Sequence, residues 1–600
     1  MRSAKPTVMS GTVSRHALMS HFALRDATLP QRDFGALAIL LDPGAVSFWY
    51  CKAHHNLTLS NTMVATFRLS LLGLSLLSSV QAAKYGYNHV TVRKDTDIVA
   101  ANFKDIEGVD LLSPAFLTPE TIPAGFSDGT QGPTDDDLLD SFVQDLADKN
   151  DWLTYNKANF TSEEGRPFPY LHLSSTKLSR RVSNSTGKVR VWVQGAVHGN
   201  EPAGDQSLLA LLGALDANQT WAASLLEKLD IVILPRYNPD GVGYFQRTLA
   251  TNYDPNRDHV KLARKQTRDI KTLFGEFAPH VAIDMHEYSA TARYGSYYHA
   301  ADGLFSAAKN LNIHPDIRTL SEEVFAKNIG SDMEARGLRW EPYVTGSTST
   351  NPAFKPTFAE AGSDAKIGRN AMGLTQCVTF LIEMRGIFLA DQEFQRRTVA
   401  GLTMASSILQ TAANNAEKVY TTIESSIADF ASSTSEIIVT DFSPLVQRTF
   451  KMVNINNGSV TDVPINFRST TPVTANITRA RPEAYLIPVA WTDLAERLRV
   501  SGLEVETLSE PYVGTVEAYD ITSAVFETEY YEGVVRAAVT TEALTREVDL
   551  PAGSFLVSTR QKNAALAFVA LEPENIDSYA SFNIVPVEAG DEYPIYRVLA

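Results

Sequence analysis

This sequence predicts an α/β fold, with a mostly parallel or mixed central sheet flanked by helices and a smaller β-rich domain after it. Three observations carry that expectation. Across residues 136–420, apolar runs of strand length alternate with segments whose apolar residues recur at helical spacing. Beyond about Asp429 the pattern changes to short alternating strands such as EIIVTDF, TFKMVNI and VPINFRS. His198, His286 and Glu383 each stand at or just after the end of a run that reads as a strand. In open α/β sheets, ligands gather at the carboxyl ends of the strands.

The elements follow in chain order. Residues 1–62 read as an extension ahead of the true initiator, Met63. From there Arg68, an apolar run over 69–80 and the small-residue pattern Val80-Gln81-Ala82 compose a secretory signal peptide over residues 63–82. The apolar run falls short of the roughly 20 residues a bilayer span needs. The mature protein is therefore expected to be exported, to the extracellular space or a vacuole, with no stable membrane span. Residues 83–135, polar and rich in Pro, Gly and Asp, read as an arm or a short pro-segment.

From Asp136, LLDSFVQDLADKNDWL has helical spacing with aspartates early, where a helix N-terminus favours them. Strands follow at PYLHLS and RVWVQGAV. Pro202 suits a helix start, because its missing N–H would be unpaired there anyway, and DQSLLALLGALDA continues that helix. LDIVILP reads as a buried strand, KLARKQTRDIKTLFGEF as a helix and VAIDMH as a strand. AAKNLNI and LSEEVFAKNIGSDMEARG read as helices, QCVTFLIE as a strand, and QEFQRRTVAGLTMASSILQTAANNAEKVY as one long helix. Residues 136–420 thus form the expected catalytic domain. In the β-rich accessory domain over residues 430–600, AWTDLAERLRVSG reads as a helix, and LEVETL, TVEAYDI, GSFLVST and AFVAL as strands.

Composition excludes several classes. Six hundred residues exceed what a single core supports, and 44% hydrophobic content supplies ample core. A formal net charge of −16 lacks the basic footprint of a nucleic-acid binder. Two cysteines, Cys51 and Cys377, make neither a disulfide framework nor a cysteine metal site. Cys377 opens an apolar run and reads as a buried small hydrophobe. Six Asn-X-Ser/Thr sequons, at Asn56, Asn159, Asn184, Asn218, Asn457 and Asn476, make an exported chain a candidate glycoprotein.

The chemistry sits in HGNE. His198 and Glu201 are three residues apart in a turn after a strand, a spacing that lets an imidazole and a carboxylate converge on one cation. His286 completes two nitrogens and one carboxylate. Three protein ligands leave one position of a zinc ion open, the arrangement of a catalytic site. Glu383, at the end of another strand, is placed to act as the base. His259 and His280 read as structural, and Asp284 shares the strand face of His286 by period two.

On these residues, 136 to about 415 resembles the zinc carboxypeptidase family typified by carboxypeptidase A. HGNE matches the family's first two ligands and His286 its third. RYNPDGVGYFQR resembles the family's Asn-Pro-Asp-Gly segment with its transition-state arginine, which implies that role for Arg247. TNYDPNRDH resembles the Asp-X-Asn-Arg segment, which implies Asn256 and Arg257 as clamps for a substrate's terminal carboxylate and Asp254 behind His198. FLIEMRG puts Glu383 at the catalytic glutamate.

The resemblance implies one Zn²⁺ per catalytic domain and substrates that are peptides or proteins with a free C-terminus. It also implies hydrolysis of the C-terminal peptide bond by a zinc-activated water with Glu383 as general base. One departure stands out. The family's substrate-capping tyrosine is missing from EAGSDAKIGRN, and Tyr343 is the nearest upstream candidate. Arg369 or Asn370 is a candidate lining for the side-chain pocket, where an arginine would favour an acidic final residue. Two other readings stay open: a zinc deacylase of the aspartoacylase or succinylglutamate desuccinylase type, and an inactive peptide- or glycan-binding protein.

Overall fold

Asp135 opens the first long helix, Asp136–Lys149, by accepting the Leu138 N–H at 2.8 Å. The computed structural model describes residues 89–175 and 187–600. The extension 1–62, the signal segment 63–82, Cys51 and the sequons at Asn56 and Asn184 lie outside them. All described residues belong to one compact unit, Ala82–Ala600.

Among the described residues, eleven strands precede residue 430: β1 Leu153–Thr161, β2 Pro167–Leu173, β3 Val189–Gln194, β4 Leu229–Leu234, β5 Val281–Ser289, β6 Tyr297–His299, β7 Gly303–Ala307, β8 Trp340–Pro342, β9 Val344–Gly346, β10 Thr357–Glu360 and β11 Val378–Ile387. Eight of them form the central sheet in the order β1-β2-β4-β3-β5-β11-β7-β8. Its middle, β4-β3-β5-β11, is parallel, and antiparallel pairs join on both sides. The sheet is mixed, as expected. VRVWVQ and LDIVIL are buried at every position, because a parallel strand covered on both faces has no solvent side to reserve for polar residues.

Period-two alternation sorts these strands between two cores. Val191, Val193, Ile283, Met285, Ile382 and Met384 face helices Pro202–Ala217 and Phe394–Asn414. Trp192, Val232 and Ala282 face helix Lys265–Phe277 through Ile270, Phe274 and Phe277. Asp284, His286 and, by register, Glu383 belong to this second face. The site therefore opens at the carboxyl end of the sheet, on the Lys265–Phe277 side.

Downstream come β12 Ile437–Phe442, β13 Leu445–Asn454, β14 Val460–Arg468, β15 Thr474–Arg479, β16 Ala484–Ile487, β17 Glu506–Thr507, β18 Tyr512–Tyr531, β19 Val534–Leu550, β20 Phe555–Ser558 and β21 Tyr596–Val598. A five-stranded sheet, β6-β13-β14-β10-β9, joins β13 and β14 to strands from the upstream segment. A two-stranded sheet pairs β12 with β15, and a six-stranded sheet runs β17-β20-β16-β21-β18-β19. At about 3.3 Å per residue, the β18–β19 hairpin is roughly 60 Å long.

Three local expectations are corrected. AFVAL lies inside a helix, Ala564–Leu571, not a strand. All eight residues there are buried, and a short run that is apolar on every side carries no periodicity to separate helix from strand. AAKNLNI is not helical. Its first residue ends β7, which pairs antiparallel with β11, and Lys309 N then donates to Asn370 Oδ1 at 2.8 Å. The long helix is two, Phe394–Asn414 and Ala416–Ser432, broken at Asn415 with φ −117° and ψ 25°.

Candidate active site

After β3 the chain turns through Ala196, at φ 48°, into His198-Gly199-Asn200-Glu201, and helix Pro202–Ala217 begins with proline at its first position. Gly199 is required by the approach of a second segment. A Cβ there would stand 1.9 Å from the carbonyl carbon of Gly241. Gly241 belongs to Asn238-Pro239-Asp240-Gly241, where Asn238 Oδ1 caps helix Pro239–Tyr244 by accepting Gly241 N at 2.9 Å. Asn238 Nδ2 donates to the Thr248 carbonyl at 3.0 Å and reaches the Arg247 carbonyl at 3.4 Å. The two glycine-bearing motifs thus lock together and bring Arg247 to the site.

His198, Glu201 and His286 converge. Each offers one ligating atom, and these atoms lie within 4.8 Å of one another. His198 Nδ1 is 2.8 Å from Glu201 Oε1, His286 Nδ1 is 2.9 Å from Glu201 Oε2, and the two Nδ1 atoms are 3.1 Å apart. On its far side each ring meets a carboxylate: His198 Nε2 lies 3.1 Å from Asp254 Oδ1, and His286 Nε2 lies 3.2 Å from Asp284 Oδ1. A proton on Nε2 satisfies both carboxylates and turns both Nδ1 lone pairs inward. Two nitrogen lone pairs and a carboxylate facing one point repel unless a cation lies among them. That donor set, two imidazoles and one carboxylate, fits zinc.

Electrostatics follow the geometry. Burial pushes the Glu201 carboxyl up, and the two imidazoles override it, holding it below its ordinary value. Burial opposes charge on His286 too, but Asp284 and Glu201 raise it well above the usual imidazole range. Behind Asp284 stands a chain of donors that sequence reading left out. Gln194 Nε2 donates to Asp284 Oδ1 and Trp192 Nε1 donates to Gln194 Oε1, both at 2.9 Å. The available signal was period two on β3 and β5, which sets 192, 194 and 284 on one face.

Glu383 is opposite His286 in the β5–β11 register. Burial pushes its carboxyl up to about 8, against the pull of His286 and with the Glu201 charge adding to the rise. Arg247 bonds Asp254 Oδ2 through Nε at 3.0 Å and Nη2 at 2.9 Å, and its Nη1 lies 3.4 Å from Glu201 Oε1. Its side chain keeps 38% exposure. Asn256 Oδ1 accepts Gly368 N at 2.7 Å, and its Nδ2 is 3.4 Å from His286 Nε2. Arg257 Nη1 donates to the Asn256 carbonyl at 2.7 Å. All seven sequence-derived site residues therefore gather at one end of the sheet.

Neighbouring candidates separate. Tyr343 lies within electrostatic reach of Glu383, Arg369, Arg257 and Arg247, so the fold brings it to the site. Arg369 is buried and donates Nη2 to the Gly362 carbonyl at 2.7 Å. Asn370 is spent on structure: Nδ2 donates to the carbonyls of Gly362 and Asp364, and Oδ1 accepts Lys309 N. His280 is remote, accepting Arg190 N at Nδ1 and meeting Glu424 at 2.9 Å. His259 is closer than expected, within electrostatic reach of Asp284. Cys377 is a buried free thiol.

Comparison with known proteins places this arrangement. The family described as zinc carboxypeptidase matches residues 139–299. Carboxypeptidase 2 of Trichophyton equinum is similar at 58% identity over 540 residues, which is 89% of this chain and all of that protein. Carboxypeptidase 2 of Trichophyton rubrum is similar at 57% identity over 541 residues, again 89% of this chain and all of that protein. A solved metallo-carboxypeptidase from Pseudomonas aeruginosa, in complex with (2-guanidinoethylmercapto)succinic acid, aligns at 18% identity over 48% of this chain and 70% of that one, with a TM-score of 0.35. On the identity to its full-length relatives, the chain belongs to the zinc carboxypeptidase family and is a metallocarboxypeptidase, a hydrolase.

Proposed function

We propose that this protein is an exported zinc carboxypeptidase that removes the last residue of peptides or proteins with a free C-terminus. The observation that carries the reading is the convergence of His198, Glu201 and His286 at one point, beside Glu383 and two arginines. A zinc ion held by those three residues would supply Lewis acidity toward a carbonyl and toward water. Glu383 takes a proton from the attacking water and delivers it to the leaving amine, work typically worth about 10² to 10⁴ in rate. Arg247, fixed by Asp254, steadies the negative charge that grows on the carbonyl oxygen. Arg257, with Asn256 beside it, presents a planar fork to the terminal carboxylate, so a chain end is bound and an internal bond is not. Asp254 and Asp284 hold the imidazoles in one tautomer.

The likeness to proteins named carboxypeptidase 2 over their full length supports a peptidase over a deacylase or an inactive binding protein. Export rests on the signal pattern of residues 63–82. Among the described residues no helix is long and apolar enough to cross a membrane. The division into a catalytic domain over 136–420 and an accessory domain over 430–600 is part of the same proposal. Incubating the protein with a defined peptide mixture and reading products by mass spectrometry tests the activity. Stepwise loss of C-terminal residues, stopped by a chelator and by Glu383→Gln, is expected. No trimming by protein that holds one zinc per chain would overturn the reading.

A further inference from the structure

Glu532 and Gly533 make the turn between β18 and β19, flanked by the pair Tyr531 and Val534. Both have positive φ, 45° and 88°. That is the two-residue hairpin turn in which Asn-Gly, Asp-Gly and Gly-Gly predominate. Glutamate is a costly choice for the first position, because its Cβ crowds the following carbonyl in left-handed backbone. Its contacts account for the choice.

Glu532 Oε2 accepts the backbone N–H of Asp254 at 2.8 Å, and its carbonyl oxygen accepts from the Lys261 ammonium. That ammonium is buried within 6 Å of three rings, at 5.6 Å from Tyr253, 5.9 Å from Tyr531 and 5.7 Å from Phe582. Gly533 seats against Tyr253, whose hydroxyl lies 2.4 Å from where a Cβ would stand, so a larger residue would have to displace that ring. The hairpin tip thus grips residues 253–261 at both ends. Between those ends lie Asp254, which meets His198 Nε2, and the pair Asn256 and Arg257.

We propose that Glu532 is a positioning residue: its carboxylate holds the Asp254–Arg257 segment against His198 and the substrate's carboxylate, making the C-terminal β-rich segment part of the substrate site. This rests on the roles given to Asp254, Asn256 and Arg257 in the proposed function. An adverse backbone position is retained because the side chain it carries serves a site some twenty strand residues from the hairpin's base.

Two variants test it. Glu532→Asn suits the left-handed turn but is one methylene too short to reach Asp254, whereas Glu532→Gln keeps the length and an acceptor oxygen. The asparagine variant should raise KM for a peptide with a free C-terminus about tenfold, the scale of one lost hydrogen bond to a charged group. Its kcat should change much less. Deuterium exchange at the Asp254 amide should quicken by a similar factor while Tm stays level or rises. The glutamine variant should return KM and exchange to near the wild-type values. Wild-type KM and exchange in Glu532→Asn, or no rescue by Glu532→Gln, would overturn the proposal. The exchange readout needs no turnover, so a wild-type protein that cleaves nothing would count against the carboxypeptidase reading while leaving the Glu532 contact measurable.

Discussion

Glu383 stands directly opposite His286 across the parallel pair β5 and β11. Paired residues of adjacent strands point to the same side of a sheet, with backbones about 4.8 Å apart. Register alone therefore puts the proposed base beside a proposed ligand, and a shift of one residue would send Glu383 into the opposite core, among Ile382 and Met384. Replacing Glu383 by Gln should lower kcat by about 10² to 10⁴ while one zinc per chain is retained. Metal analysis beside steady-state kinetics separates this from loss of the ion.

Arg247 and Arg257 should fail differently. Arg257→Ala removes binding to the terminal carboxylate, so KM should rise with a smaller effect on kcat. Arg247→Ala should lower kcat by about 10² to 10³, the scale seen when one donor to a developing oxyanion is removed. Because Arg247 also neutralises Asp254 and Glu201, its variant should be judged at saturating zinc. Equal KM and kcat effects in both variants would refute the division of roles.

Asp284 Oδ1 receives both His286 Nε2 and Gln194 Nε2. Asp284→Asn should weaken zinc binding by about 10- to 100-fold, as loss of such a partner does at other sites. Competition with a fluorescent chelator measures this directly, and unchanged affinity would show that His286 is held without Asp284.

His299 gives a pH dependence away from the proposed metal site. It is buried in an aromatic cluster, stacked on Phe358 at 5.0 Å with Tyr294 edge-on at 5.1 Å. Burial, with Arg385 adding to it, pulls the imidazole down to about 3. The unfolded chain therefore binds a proton that the folded one refuses between about pH 6.5 and 3. The contribution is full above pH 6.5 and lost as pH falls toward 3. Between pH 7 and pH 5 the loss should be about 2 kcal/mol. Urea unfolding of His299→Phe, which keeps the ring packing, should show a flatter slope with pH than the wild type. Identical slopes would remove His299 as the cause.

Gly199 tests the lock between the two motifs. Gly199→Ala drives a methyl into the Gly241 backbone and should cost about 3 kcal/mol, at the upper end for overpacking. Urea unfolding reads the loss, and wild-type stability would mean the turn yields cheaply.

How much was legible follows from which signals are local. The proposed ligands, Glu383 and the arginines were readable because each is a short motif at a strand end or in a turn, and the sheet's topology brings such ends together. Asp254 behind His198 was readable through the Asn-Arg motif. For Gln194 and Trp192 behind Asp284, period two gives the shared face but not the pairing, since nothing in β3 announces which carboxylate on β5 they will meet. Glu532 lies 278 residues from the amide it holds, and no local pattern spans that distance. The helix Ala564–Leu571 was misread because its uniform burial erases the period that distinguishes a helix.

The measurement that bears most directly on the central claim is a matched pair of peptides differing at one atom group, a free C-terminal carboxylate and its amide. Both are incubated with zinc-loaded protein and followed by mass spectrometry. The account predicts that the free acid shortens one residue at a time while the amide persists, and that Arg257→Ala narrows the difference between them. Equal cleavage of both peptides, or cuts at internal bonds, would contradict it.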